Sequence, residues 1–426
     1  MALVEKNGWS NWSGRVQAPH ARLVRPRDET ELQGALSSAM EVRPVGAGHS
    51  FMPLAQSSGV IISLDDWQDD RIVIGETGLA EVPAGMRLKT LTRKLRDLGW
   101  ALANQGDIDE QALAGALATG THGTGISLQS LSAMTRGVEL FLPNGDAVKL
   151  DTQSHPKWFE AARLSLGALG IVTRVTMQLV PAYRLEENTK TEPLNEVLDT
   201  FWERVAANRH FEFWQFPYAS KAIVKTLNLT QEEPRRANHS GPDEEKIMTT
   251  MCDIGAVVGF LSGPMQKIMT ALVSPTNRVG WSCSIFPSPR NIRFNEMEYH
   301  LPKDTALEAL RACLAAIKRK SVPVCFPFEV RTVAADDVWI SPFSGAPRVS
   351  IALHQYWKQD PAGLMNICEP ILQEAGGRPH WGKMHTLDHG GFTALYPRLA
   401  DFEAVRSEMD PEGKLLNPHL RYIFGR

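Results

Sequence analysis

The 426-residue chain reads as an α+β protein of two domains. Three observations predict this. The first third alternates short apolar strands with helices. Asn144-Gly145 lies between two strand-like runs, the turn pair of an antiparallel hairpin. Beyond Pro181 the pattern shifts to aromatic strands such as residues 211–216.

The elements follow in order. Residues 30–40 form a short helix after the turn at Pro26-Arg27-Asp28, and 42–45 a strand running into Gly46 and Gly48. Residues 60–64 are a further apolar strand. Leu88, Leu91, Leu95 and Leu98 recur at helical spacing, the stripe of an amphipathic helix over 86–98 whose plain role is core packing. Residues 137–150 make the hairpin, 158–166 a helix, and 171–180 a strand entered through Gly167-Ala168-Leu169-Gly170. The charged, proline-bearing stretch 231–246 reads as a solvated loop.

Composition narrows the class. With 43% hydrophobic and 22% charged residues, a chain this long builds its core without disulfides. A net charge of -3 gives no general attraction for nucleic acid or anionic membrane. The longest apolar stretch, 254–265, is too short to span a bilayer, so no membrane anchor is expected. The N-terminal residues lack the apolar segment of a secretory signal. Five scattered cysteines (Cys252, Cys283, Cys313, Cys325, Cys368) contain no C-x-x-C pair. A reducing, cytoplasmic location is expected. The sequons at Asn11, Asn228 and Asn238 carry little weight without a secretory route.

Two segments offer dense backbone donors with little side-chain bulk: Arg43-Pro44-Val45-Gly46-Ala47-Gly48-His49-Ser50-Phe51 and Ala118-Thr119-Gly120-Thr121-His122-Gly123-Thr124-Gly125. Glycines let successive N–H groups converge on one point, an anion nest suited to a diphosphate. Either cluster alone is equally explained by a turn or by tight packing. The G-x-G-x-x-G spacing is absent, with Phe51 where the third glycine would stand, and no Walker A sequence occurs.

The pair, in this order and with His49 in the first, resembles the vanillyl-alcohol-oxidase superfamily, and within it the sugar-lactone and alditol oxidoreductases. The resemblance spans essentially the whole chain. It runs from Arg25-Pro26-Arg27-Asp28-Glu29-Thr30-Glu31-Leu32 through both glycine segments and Gly167-Ala168-Leu169-Gly170-Ile171-Val172. It continues to Phe328-Glu329-Val330-Arg331-Thr332-Val333 and Arg378-Pro379-His380-Trp381-Gly382-Lys383.

The resemblance implies an FAD-binding domain over 1–180 and a substrate (cap) domain with an antiparallel sheet over 181–377. Residues 378–426 return to the first domain. It implies FAD bonded through His49 to the 8α-methyl carbon; the plain alternative is a core histidine. It assigns to the cofactor Val45, Gly46, Ala47, Gly48, Ser50, Gly106, Asp107, Gly115, Thr119, Gly120, Thr121, His122, Gly125, Gly170, Ile171, Val172 and His380. The activity implied is hydride transfer to flavin N5 from a secondary hydroxyl of an aldono-1,4-lactone, of the L-gulono or D-arabinono type, with O2 or another acceptor. An alditol substrate is the alternative. A flavin-free binding protein of the same fold would give a colourless preparation.

Glu329 and Arg331, at i and i+2 in a strand, share a face. They make either a surface ion pair or part of a site, and the apolar flanks favour the site. By resemblance, Arg331 and Lys383 hydrogen-bond the reacting hydroxyl, Glu329 orients Arg331, and His354 lines the pocket; His354 and Lys383 both remain as proton acceptor. His380, His385 and His389 have a spacing loosely like a metal site, but no H-E-x-x-H is present and Gly390-Gly391 breaks the helix, so no metal is expected. Two departures bear on substrate. Asp107 and Tyr356 stand where alditol oxidases carry serine and threonine, which favours a lactone. Gly106, at a gate position, leaves O2 a path and predicts oxidase behaviour.

Overall fold

In a computed structural model, residues 4–237, 244–288 and 291–426 are described. The N-terminal part carries two sheets. One orders the strands Val4–Ser10, Gln17–Val24, Val60–Ser63 and Val42–Val45, the last three running parallel. Helix Glu29–Ser37 is started by Asp28, whose carboxylate accepts from the Glu31 N–H.

The second sheet is antiparallel, with order Val73–Ile74, Leu79–Pro83, Ile171–Gln178, Thr135–Phe141, Ala147–Asp151. Helix Leu88–Asp97 packs Leu88, Leu91 and Leu95 over it. Leu98 departs from the expected stripe. It caps the helix and is 54% exposed, because Gly99 turns the chain through the left-handed region at φ 84°. Two further boundaries differ. The helix expected over 158–166 is Pro156–Ala162, and the 171–180 strand breaks after Gln178, its end Val180–Pro181 pairing with Trp100–Ala101.

The third sheet has eight strands among the described residues, all antiparallel. Its order is Thr276–Trp281, Arg184–Pro193, Lys221–Thr230, His210–Gln215, Phe328–Val333, Arg348–Tyr356, Phe294–Pro302 and Arg378–Pro379. Strand alternation sorts its two faces. Phe328, Val330, Ile351 and Leu353 bury against helices Ala306–Lys320 and Ala362–Glu374, each contributing roughly 1.5–3 kcal/mol. Their neighbours Glu329, Arg331 and His354 turn the other way. A one-residue slip would put these charges into the apolar core, so the register is strongly specified.

Residues Arg378–Pro379 pair with Tyr299 and His300, so the eight-stranded sheet ends just past the expected limit at 377. The chain then crosses to the first region. Trp381 stacks on Phe392 and Tyr396 at 4.4 and 5.3 Å, donates its indole N–H to Ile340 O, and shares a core with Phe159 and Leu164. Of the expected loop 231–246, residues 238–243 with the Asn238 sequon lie outside the described residues, and helix Glu244–Val257 already begins within it. Asn11 and Asn228 are both held in side-chain hydrogen bonds. All five cysteines are buried and free. No helix among the described residues is long and apolar enough to cross a membrane.

Candidate active site

A long cavity, about 1840 Å³ of atom-free space in part open to solvent, runs between the two N-terminal sheets and the charged face of the eight-stranded sheet. That is more than one small ligand needs. It has two chemically distinct ends.

The first end is built from backbone and small side chains. Val45, Gly46, Ala47, Gly48, His49 and Ser50 line it, with Gly115, Thr119, Thr121, Gly170, Ile171 and Val172 opposite. Gly48 turns at φ 70°, and a Cβ on Gly46 would come within 3.0 Å of the Ala112 Cβ, so the loop lies close on the Leu113–Thr119 helix. A Cβ on Gly115 would meet only the Gly46 Cα, at 3.9 Å, and so would project into the gap between the two segments. A cradle lined by glycines, small side chains and the hydroxyls of Ser50, Thr119 and Thr121 fits a dinucleotide.

His49 stands where this end meets the other, its ring 5.3 Å from that of Trp12. Burial, then nearby Lys383 and Arg87, lower its imidazole to about 4. At neutral pH the ring is therefore neutral and has a lone pair free for bonding to carbon.

The second end carries charge. Glu296 and Glu298 on one strand, Glu329 and Arg331 on the next but one, His354 between them, and Lys383 from the C-terminal segment all line it. Register accounts for the convergence: Glu296 faces His354 across one strand pair, while Glu298 and Glu329 both face Ala352. Arg331 Nη2 donates to Glu298 Oε1 at 3.0 Å and lies 3.6 Å from Glu329 Oε2. Lys383 Nζ is bound to Glu296 Oε2, and His354 Nε2 lies 3.6 Å from Glu296 Oε1. Burial alone would raise the Glu298 carboxyl, but Arg331 and His122 overcome it and hold the group well below the usual carboxylate range. For Arg331, Glu329 and Glu298 together outweigh burial and raise the guanidinium. Two atoms of this cluster, Glu329 Oε1 and Arg331 Nε, are buried with no partner.

Of the expected site residues, Gly106, Asp107, His122 and His380 also line the cavity, whereas Gly120 and Gly125 lie outside its lining. Gly120 caps the Leu113–Thr119 helix at φ 76° against Leu164. Gly125 bridges to Val333, and its N–H donates to Thr332 O, so the end of that motif stitches the two regions together instead. Tyr356 is absent from the lining, and its hydroxyl donates to Asp253.

Sequence reasoning missed Glu296 and Glu298. The acids Glu296 and Glu298, alternating with apolar Met297 in a strand-like run, were the available signal. It also gave Arg331 only Glu329 as partner, whereas Glu298 is nearer. His380, His385 and His389 do not converge: His380 accepts from Gly382 N, His385 packs on Phe392, and His389 meets Glu403. His122, Glu298 and His300 come close enough to suggest a metal-ligand set. The Arg331 guanidinium on Glu298 already supplies the cation there.

Known proteins resemble the chain along its length. A family model described as D-arabinono-1,4-lactone oxidase matches residues 175–423, and an FAD-binding domain model matches 20–151. The chain is 35% identical to an L-gulono-1,4-lactone dehydrogenase of Mycobacterium tuberculosis, over 98% of this chain and 99% of that protein. It is 32% identical to an alditol oxidase of a Streptomyces species, over 97% and 98%. Among solved structures, a cholesterol oxidase from B. sterolicum superimposes with a TM-score of 0.85 at 16% identity, covering 99% and 97% of the two chains, a likeness of fold. The chain belongs to the aldonolactone oxidase family of the vanillyl-alcohol-oxidase superfamily, FAD-dependent oxidoreductases acting on CH–OH donors.

Proposed function

We propose that this protein oxidises a secondary hydroxyl of an aldono-1,4-lactone, of the L-gulono or D-arabinono type, with FAD bonded to His49 and O2 as acceptor. The observation that carries the substrate class is the unsatisfied pair at the charged end. Glu329 Oε1 needs a donor and Arg331 Nε an acceptor, and hydroxyl groups supply both. A purely apolar substrate would leave each unpaired, at about 1–3 kcal/mol.

The bound flavin supplies a hydride acceptor. Arg331 and Lys383 donate to the reacting oxygen and stabilise its developing charge, with Glu329 and Glu298 holding Arg331 in place. Between the two candidate proton acceptors, the geometry favours His354. Its Nδ1–H faces Pro327 O at 3.1 Å, which leaves the Nε2 lone pair available. Lys383 is committed to Glu296, and an ammonium group has no lone pair.

A lactone and alditol panel under anaerobic conditions tests the activity: L-gulono- or D-arabinono-1,4-lactone should bleach the flavin. An alditol acting faster than any lactone would reverse the order of the two readings. The turning of Tyr356 towards Asp253 weighs against that outcome. Acid precipitation tests the link. Colour should stay in the wild-type pellet and leave with the supernatant in His49→Ala. For O2, peroxide should accumulate under air, and turnover restricted to artificial acceptors would remove that part. Gly106→Ala should slow reoxidation, because its Cβ would meet His122 O at 3.0 Å beside the cavity.

A further inference from the structure

The two cations at the charged end are already spoken for. Both partners come from one strand, Phe294–Pro302, whose Glu296 and Glu298 project from the same face and are buried to 3% and 1% exposure. Glu296 binds Lys383 and Glu298 binds Arg331. Glu329 adds a third carboxylate with one oxygen unpartnered, and Asp107 a fourth on the lining. His122 offers nothing further to an anion, because both its ring nitrogens face acceptors, Gly123 O at 2.8 Å and Glu298 at 3.1 Å. Burial keeps His49 and His380 neutral at neutral pH, at about 4 and about 3.

From this arrangement we infer that Glu296 and Glu298 set the charge of the substrate: they neutralise the two cations, so that the site takes the ring-closed, neutral lactone and refuses the aldonate formed by its hydrolysis. The inference rests on the lactone reading above. An entering carboxylate would have to displace a buried glutamate from its cation, or take Arg331 Nε with four carboxylates around it, and like charge opposes either. A hydroxyl meets no such opposition. Lactone rings open in water at neutral to alkaline pH, so the enzyme meets both forms of the same carbon skeleton and separates them by charge.

The test uses the holoenzyme and three probes: L-gulono-1,4-lactone, L-gulonate and the uncharged open-chain L-gulonamide. Binding is read by anaerobic stopped flow, from the rapid perturbation of flavin absorbance that precedes any reduction, for the wild type, Glu296→Gln and Glu298→Gln. The wild type should bind L-gulonate at least about tenfold more weakly than the lactone, and at least one variant should narrow that ratio by about threefold or more. A purely structural role would weaken all three probes alike. The inference is overturned if the wild type binds L-gulonate within about tenfold of the lactone, or if L-gulonate gains nothing relative to the lactone in either variant. L-gulonamide following the lactone assigns the effect to charge; L-gulonamide excluded as strongly as L-gulonate in the wild type and in both variants assigns it to ring shape and likewise overturns the inference. A lactone that neither perturbs nor bleaches the flavin defeats the underlying substrate reading instead.

Discussion

The two ends of the cavity solve opposite problems. One is lined by glycines and backbone groups from contiguous segments, the end proposed for the cofactor, and its titratable member, His49, is kept uncharged. The other, proposed for the substrate, brings paired charges together from three strands and the C-terminal segment. Backbone donors cost little to bury because helices and strands fix them anyway. Side-chain charges must be neutralised pair by pair, so the substrate end needs more residues than it presents to a ligand. Arg331 alone engages Glu298 and Glu329.

The sharpest break of this division is Arg331→Met. Lactone-driven flavin reduction, followed by anaerobic stopped flow, should slow by roughly 10²–10³-fold, with FAD content unchanged. Loss of flavin from this variant would mean that the two ends are not separable. The converse substitution, Gly115→Val, fills the cradle near Gly46. Flavin-to-protein absorbance of the purified variant should fall, because FAD binds about tenfold or more weakly before the link to His49 can form, with the thermal midpoint little changed. The smallest effect concerns stability. Burial lowers His210, His380 and His385 to about 3 from 6.5. The unfolded chain therefore binds protons first, and stability is complete above about pH 6.5 and is lost as pH falls towards the folded values. Denaturant midpoints at pH 7 and 5 read this directly. His385→Leu should flatten the slope and stabilise by about 1 kcal/mol, because both ring nitrogens lack partners.

How much of this was legible in the sequence follows the same division. The cofactor end is local in the chain, so Gly46 to Ser50 and Thr119 to His122 announced themselves as motifs. Gly120 and Gly125, read with them as one motif, turn out to cap a helix and to bridge to Val333, roles that sequence proximity alone does not show. At the substrate end, Glu329 and Arg331 were visible as neighbours on one strand, but Glu296 and Glu298 lie about thirty residues away and meet them only through the pairing register across Ala352 and His354. Strand boundaries came within a residue or so where apolar runs ended at Gly or Pro. Leu98 was misplaced because its spacing continued one step past the helix that justified it.

Lys383 reaches the cavity from the chain's last fifty residues, fixed by Trp381 in the aromatic stack and by the hydrogen bond from Phe51 N to Gly382 O. During synthesis, the flavin cradle, Arg331 and His354 all leave the ribosome before the residue that completes the site. The same late segment also braces the first sheet, since Val42 N–H donates to Lys414 O and the Arg43 guanidinium to Leu415 O, so the N-terminal region closes its core only after these residues have emerged.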